Sequence, residues 1–359
     1  MDRDELLHWL RTSDRGELAE LWARADSVRQ THIGPAVHLR GLIEISNRCV
    51  RHCAYCGINA SNHHIPRYDM PETAILACVD RAVECGYGTV VLQAGESPMW
   101  SRDRVAALIA SIKRRADLAV TLSLGEQDRE TLRHWREAGA DRYLLRFETS
   151  DPALYERIHP REPGAPDRLE ILSWIKELGY EAGGGVMVGI PGQTWNTLAQ
   201  DLLTFAHLDL DMIGIGPYIP HPDTPLGHDP DAWRAPDQDQ VPNDEALVYR
   251  VLALTRLLCP RANIPSTTAL ATINHHAGRE LGLQRGANIL MPNLTPAHYR
   301  AMYDIYPAKH GLTADTPHDS QHLHTRIHSL GRTIGTGHGN APNHHPPPQT
   351  PIAADQNNQ

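Results

Sequence analysis

The sequence predicts an α/β fold, a (β/α)8 barrel of the TIM type with parallel strands, on three observations. Short apolar runs alternate with longer stretches whose apolar residues recur at i, i+3, i+4 and i+7, the pattern of strand–helix crossover units. Eight such runs are present, the number that closes a barrel. The residues able to do chemistry gather at the ends of those runs, where a parallel barrel holds its site. An open doubly wound sheet is the competing arrangement.

The elements follow in order. Residues 1–35 read as a helical segment of two short helices, with Leu6, Leu7 and Leu10, then Leu18, Leu21 and Trp22, at helical spacing. The eight strand candidates are VHLRGLIEIS (37–46), TVVLQAG (89–95), AVTLSLG (119–125), RYLLRFE (142–148), AGGGVMVGI (182–190), MIGIGPYI (212–219), NIPSTTA (263–269) and ANILMPN (287–293). Segments such as PETAILACVDRAVECGYG and DRVAALIASIKRRADL supply the helices between them. The barrel domain is expected to span 36–334. From Gly335 to the end the chain is rich in Pro, His, Asn and Gln with almost no apolar content, so 335–359 is expected to be a disordered tail. The histidines there, His338, His344 and His345, read as incidental.

Composition narrows the function. An apolar share of 41% and a charged share of 21% are those of a soluble globular protein. A net charge of −9, with arginines interleaved among Asp and Glu, argues against a nucleic-acid partner. No apolar run approaches the roughly 20 residues that cross a bilayer. The start, MDRDELLHWL, lacks the layout of a secretory signal, so a cytoplasmic location without membrane attachment is expected. The six cysteines do not suit a disulfide framework, and three of them are crowded into Cys49-x3-Cys53-x2-Cys56 at the end of the first strand.

Three thiolates this close on one loop can hold three irons of a [4Fe–4S] cluster and leave the fourth without a protein ligand. The free corner could take an amino-acid-like molecule through its amine and carboxylate. A zinc site completed by His52, His63 or His64 is the alternative, but zinc favours closed four-ligand sets and no second cysteine pair follows. Cys78, Cys85 and Cys259 are scattered over helical stretches and read as small buried hydrophobes.

Other polar groups stand at strand ends. Gly95-Glu96 places a bend and a carboxylate near the cysteines, with Gln93 just before it. Arg142, Arg146 and Glu148 share one face of the fourth strand, and unpaired charge among apolar helices is costly, so that face is expected to point into the barrel. A self-satisfied Arg–Glu pair filling the barrel is the blander reading. Thr121 and Ser123 alternate in the same way on the third strand, while a pair such as Thr267 and Thr268 is by itself an ordinary β-branched choice.

The C-x3-C-x2-C spacing with an aromatic, Tyr55, before its last cysteine resembles the signature of the radical S-adenosylmethionine superfamily. Within it the chain is similar to the HydE-like maturases of [FeFe]-hydrogenase over roughly residues 37–310, through RYDMPETAI, VLQAGESP, TLSLGE, GADRYLLRFETSDP, GGVMVGIPGQT, MIGIGPYIPHPDTPLG, ALTRLL, NIPSTTA, GANILMPNLTP and YDIYP. The resemblance implies a [4Fe–4S] cluster on Cys49, Cys53 and Cys56, and cleavage of S-adenosylmethionine to methionine and a 5′-deoxyadenosyl radical. It implies that Tyr55 shields the cluster, that Gly95 and Glu96 bind the methionine ammonium, and that Arg168 meets the carboxylate. Gln93, Thr121, Ser123, Glu148 and Tyr303 would complete the cofactor site. Arg142, Arg146, Thr267, Thr268, Met291 and Tyr306 would face the substrate, with the threonines meeting a small anion or carboxylate.

The implied substrate is a small iron complex carrying carbonyl, cyanide and cysteine-derived ligands from a partner maturase. The implied reductant is a ferredoxin or flavodoxin. One departure stands out: the three further cysteines that many such maturases carry near the C-terminus are missing after Gly311, so one cluster per chain is expected. The alternatives are a lysine mutase of the methylornithine synthase kind, with Arg142 or Arg146 clamping an amino acid, and a non-catalytic iron–sulfur carrier.

Overall fold

A computed structural model describes residues 1–161, 164–309 and 317–344. Its centre is an eight-stranded parallel sheet built from β1 (Ala36–Ser46), β2 (Thr89–Ala94), β3 (Ala119–Ser123), β4 (Arg142–Leu144), β5 (Glu181–Val188), β6 (Met212–Pro217), β7 (Ile289–Leu290) and β8 (Thr333–Ile334). The order is β6-β5-β4-β3-β2-β1-β7, with β8 on the first residues of β1. Consecutive strands are neighbours from β1 to β6 because each is followed by a helical crossover, the connection a parallel pair requires.

The sheet curls so that one face of every strand looks inward. Along β1, Arg40, Leu42 and Glu44 line a central cavity, while Ile43 and Ile45 are buried on the other side. The outward set, including Val90 and Leu92 of β2, Val120 and Leu122 of β3 and Ile213 and Ile215 of β6, packs into one continuous apolar core. Helical residues such as Ile75, Ile109, Trp135, Ile171, Leu202 and Val251 complete that core. The two N-terminal helices, Arg3–Arg11 and Arg15–His32, lie against the helices Trp195–His207 and Glu245–Leu258 rather than on the sheet.

Two expectations need correction. The seventh expected strand, 263–269, is reduced to single bridges, Met212↔Asn263 and Pro265↔Ile289, which carry the ladder from β6 to β7 and around to β1. Pro265 has no N–H to give a ladder, and Thr267 is already the N-cap of the helix Thr268–Ile273. The expected tail does not begin at Gly335. After β8 the chain runs on across the N-terminal end of the barrel as far as His344. Here the carbonyls of His338 and Gly339 accept from Thr89, Arg142, Arg40 and Asn263, and Ala341 donates its N–H to Glu181. Hydrogen bonding, not apolar burial, holds the segment, which is why composition misjudged it. Gly88 belongs to the same contact, since a Cβ there would lie 1.8 Å from the Gly337 carbonyl oxygen. The rest of the expected tail, including His345, lies outside the described residues.

Candidate active site

Of the cluster, cofactor and substrate residues that the resemblance implied, all except Arg142 line one cavity of about 310 Å³, while His52, His63 and His64 do not. The three cysteines stand on the loop that leaves β1. That loop is tied down by Val50 N–H to the Glu96 carbonyl (2.8 Å) and Ala54 N–H to the Ile158 carbonyl (2.8 Å). Gly95 permits this approach, because a Cβ on it would sit 2.4 Å from the Arg48 carbonyl oxygen and 2.7 Å from Cys49 Cβ. Burial pushes all three thiols upward, Cys56 to about 12, with the neighbouring Cys56 charge adding to the shift of Cys53. Such thiols resist ionising until a cation compensates them, which suits metal ligands that are assembled together with their metal.

Glu96 follows Gly95 into the cavity. Burial and the neighbouring Glu126 raise its carboxyl, while Arg51, 3.5 Å away, opposes the shift. Gly125 makes room for it: its φ is +77° and a Cβ would fall 2.0 Å from Glu96 Cγ. Arg168 opens the helix Arg168–Glu177, whose N-cap Asp167 fixes its first turn. Its guanidinium donates to Glu126 (2.8 Å) and to the Arg146 carbonyl (2.6 Å). Gln93 donates to the Tyr303 hydroxyl at 3.1 Å.

Past β4 the backbone leaves regular strand geometry. Glu148 has φ +63°, a left-handed conformation that costs a non-glycine residue about 1–3 kcal/mol and is held here by hydrogen bonds to Gly185 and Met187 of β5. Its carboxylate lies 3.0 Å from Arg146, yet Oε2 has no well-directed hydrogen bond, and neither do the buried Arg146 Nε, Arg51 Nε and Thr121 Oγ1. Buried polar atoms left over around one cavity mark the place of a polar ligand. Ser123, Thr267, Thr268, Met291 and Tyr306 complete the wall, and Tyr55 covers the side toward the cysteines.

Arg142 is the exception. The alternation argument gave its direction correctly but not its depth. As the first residue of β4 it lies at the N-terminal end of the barrel, fully buried, paired with Glu181 and donating to Thr89 (3.0 Å), the His338 carbonyl (2.8 Å) and Asn340 (2.6 Å).

Several residues passed over in the sequence belong to the site. Glu44 and Lys309 form an ion pair in the cavity wall. Behind the cysteines, Glu126 accepts from Arg51 (2.7 Å), Arg168 (2.8 Å) and Tyr155 (3.2 Å). Burial works to raise its carboxyl, but the His159 hydrogen bond and the Arg168 charge prevail and hold it at about 2. The inward position of Glu44 on β1 was a readable signal. The others come from distant segments and carry none.

The model of the Radical SAM superfamily matches residues 43–205. The [FeFe] hydrogenase maturase subunit HydE of Thermotoga maritima is 45% identical over 307 residues, 86% of this chain and 84% of that protein. The chain belongs to the HydE family of radical SAM enzymes. This family relationship brings a [4Fe–4S] cluster and S-adenosylmethionine as cofactors. The donor set fits the first, and the leftover polar atoms of the cavity fit the second. The 3-methylornithine synthase of Methanosarcina acetivorans is also similar to this chain, 28% identical over 84% of this chain and 83% of that protein. A crystal structure of methylornithine synthase shares the fold, with TM-score 0.77, 23% identity and coverage of 93% and 94% of the two chains. Among the described residues no helix is long and apolar enough to cross a membrane.

Proposed function

We propose that this chain acts in assembly of the diiron centre of an [FeFe]-hydrogenase, and that its substrate is a small iron complex with carbonyl, cyanide and cysteine-derived ligands. The observation that carries the reading is the convergence of three thiols, an arginine–glutamate pair and a threonine pair on one cavity, in a chain 45% identical to a hydrogenase maturase. Cys49, Cys53 and Cys56 would hold the cluster, which with bound S-adenosylmethionine would supply a 5′-deoxyadenosyl radical. The protein supplies position and a dry cavity.

Glu96 accepts the methionine ammonium and Arg168 meets the methionine carboxylate. Glu148 orients the nucleoside, with Gln93, Thr121, Ser123 and Tyr303 around it. Arg146, Thr267 and Thr268 present donors to an anionic substrate. Tyr55, Met291 and Tyr306 exclude water and close the space in which a reactive carbon centre must be kept from side reactions. A cytoplasmic ferredoxin or flavodoxin delivers the electron. A lysine mutase could have used Arg142 or Arg146 as its carboxylate clamp, and Arg142 is spent at the barrel floor, which leaves that reading one candidate fewer.

The test is anaerobic loading with iron and sulfide, followed by dithionite and S-adenosylmethionine. The expected product is 5′-deoxyadenosine, and adding the iron–cysteine complex should consume that complex and support hydrogenase activation in a reconstituted maturation mixture. Rearrangement of lysine instead, with the iron complex untouched, would overturn the maturase assignment. A loaded cluster that yields no 5′-deoxyadenosine would return the chain to a carrier.

A further inference from the structure

One histidine stands directly against the cysteines without any part in the reading above. His159 is fully buried at the end of the helix Pro152–Ile158, and its Nδ1 lies 3.0 Å from Cys53 Sγ. The contact is built from both sides. The Ile158 carbonyl accepts the Ala54 N–H at 2.8 Å, which binds the cysteine loop to the residue before the histidine. The ring lies beside Tyr155, with centroids 5.1 Å apart, and near Tyr55 at 6.5 Å. Its far nitrogen, Nε2, meets Glu126 Oε1 at 2.8 Å and the guanidiniums of Arg168 and Arg51 at 3.1 and 3.2 Å, and Arg168 also passes Nδ1 at 3.4 Å, farther than the cysteine sulfur.

An iron-bound cysteine is a thiolate and can only accept. Of the two atoms 3.0 Å apart, Nδ1 must then bring the hydrogen, since a bare Nδ1 would set two lone pairs face to face. The far nitrogen permits this arrangement, because Arg51 and Arg168 can donate to it when it carries no proton and Glu126 can accept when it does. Resting on the cluster assignment proposed above, we infer that His159 is a positioning residue that donates Nδ1–H to Cys53 Sγ, orients that ligand and raises the reduction potential of the cluster. The electron added on reduction places more negative charge on the sulfurs, and a donor aimed at one of them favours the reduced form. Glu126, Arg51 and Arg168 hold the donor in place, so the same four-residue group links the cluster ligand to the residue proposed for the methionine carboxylate.

The experiment uses the full chain, loaded anaerobically, with iron and sulfide counted per protein. The midpoint potential is read by EPR during a redox titration without S-adenosylmethionine. His159→Phe keeps an aromatic ring beside Tyr155 but removes the donor, and His159→Gln keeps a donor. The phenylalanine variant should titrate at a more negative potential, with about a tenfold lower ratio of reduced to oxidised cluster at the wild-type midpoint, the weight of one hydrogen bond. The glutamine variant should fall between the two. In wild-type protein carrying 15N-imidazole histidine, ENDOR should detect a histidine nitrogen coupled to the reduced cluster, lost in His159→Phe. An unchanged midpoint in a fully loaded His159→Phe protein overturns the inference. If that variant takes up no cluster, the wild-type ENDOR decides, and absence of the histidine coupling overturns it equally. Failure of the wild-type chain to load any cluster would instead sink the reading of the three cysteines.

Discussion

The two ends of the barrel are built from the same kinds of residue and end up as opposites. At the N-terminal floor Arg142, Glu181, Thr89 and Asn263 meet the returning segment 338–341. Arg142 finds four partners and Glu181 two. At the C-terminal mouth Arg51, Arg146, Glu148 and Thr121 each keep an atom without a hydrogen bond around open space. Arg40 spans the two: it donates downward to the Gly339 carbonyl at 3.0 Å while its buried Nε lines the cavity without a partner. Buried charge alone therefore says little about function. Unsatisfied atoms occur elsewhere too, such as Asn343 Oδ1 in the returning segment, so what distinguishes the mouth is that five such residues, Arg40 included, surround one cavity.

The sharpest way to break this contrast is to remove one arginine from each end. Arg142→Leu leaves Glu181, 2% exposed, as a buried carboxylate without its cation. It should cost about 3–5 kcal/mol in urea denaturation while leaving 5′-deoxyadenosine formation per folded molecule close to wild type. Arg146→Leu should do the reverse. Its side chain is 30% exposed, so the stability loss should stay near 1–2 kcal/mol, while turnover of the iron substrate falls about a hundredfold. Equal activity losses in the two variants would erase the distinction.

A stop after Ile334 comes next in size. It removes the acceptors of Arg40, Arg142, Thr89 and Asn263 and the N–H donor to Glu181, and it opens the floor to water. Hydration repays part of those bonds, so about 2–3 kcal/mol of stability should be lost. 5′-Deoxyadenosine should still form, but in larger excess over substrate consumed, since solvent then reaches the cavity from below. Unchanged coupling between the two would show that the floor does not seal the site.

A subtler effect belongs to a carboxylate that is fully partnered and yet strained by burial. Asp201 accepts from Ser150 N (2.6 Å), Ser150 Oγ (2.7 Å), Thr149 Oγ1 (3.3 Å) and Gln193 Nε2 (3.2 Å), clamping the chain just past Glu148 to the turn after β5. Burial nonetheless raises its carboxyl to about 7. Its folded value lies above the unfolded one, so between roughly pH 4 and pH 7 the folded chain binds the extra proton. Stability from this group is present at the low end of that window and is lost as the pH rises through it. Asp201→Asn should flatten the slope of the urea midpoint between about pH 4 and pH 7. A slope equal to wild type would refute the assignment.

The parts of the site legible in the sequence are those encoded by short spacing. The trio Cys49, Cys53 and Cys56, the pair Gly95-Glu96 and the inward alternation of Thr121 and Ser123 all depend on neighbours within a few residues, and strand periodicity places them without knowledge of the rest. Depth along a strand was not legible. Regular β4 ends at Leu144 and Glu148 turns left-handed, so Arg142 and Arg146 share a direction but stand at opposite ends of the barrel. Nor were contacts made across the fold: Cys53 and His159 are 106 positions apart and Glu44 and Lys309 are 265 apart, with no local pattern at either partner. The segment 335–344 misled for a different reason. It has almost no apolar residues, but it binds through its backbone, which composition does not describe.

The smallest expected effect is also the cleanest comparison, because it uses one residue type on adjacent strands. Thr89 of β2 and Thr121 of β3 both point into the barrel, the first at the floor and the second at the mouth. The Thr89 hydroxyl donates to the His338 carbonyl at 2.9 Å and accepts from Arg142 at 3.0 Å, whereas the buried Thr121 hydroxyl has no partner. Valine has the same shape without the hydroxyl. Thr89→Val strands a buried carbonyl and a guanidinium N–H and should cost about 1–2 kcal/mol. Thr121→Val removes a polar atom that the protein leaves unsatisfied, so stability should hold or rise by up to about 1 kcal/mol, while the KM for S-adenosylmethionine rises several-fold. Urea denaturation and 5′-deoxyadenosine kinetics on the two variants read both signs. If Thr121→Val destabilised the chain as Thr89→Val does, its hydroxyl would be serving the fold, and an unsatisfied atom at the mouth would no longer point to a ligand.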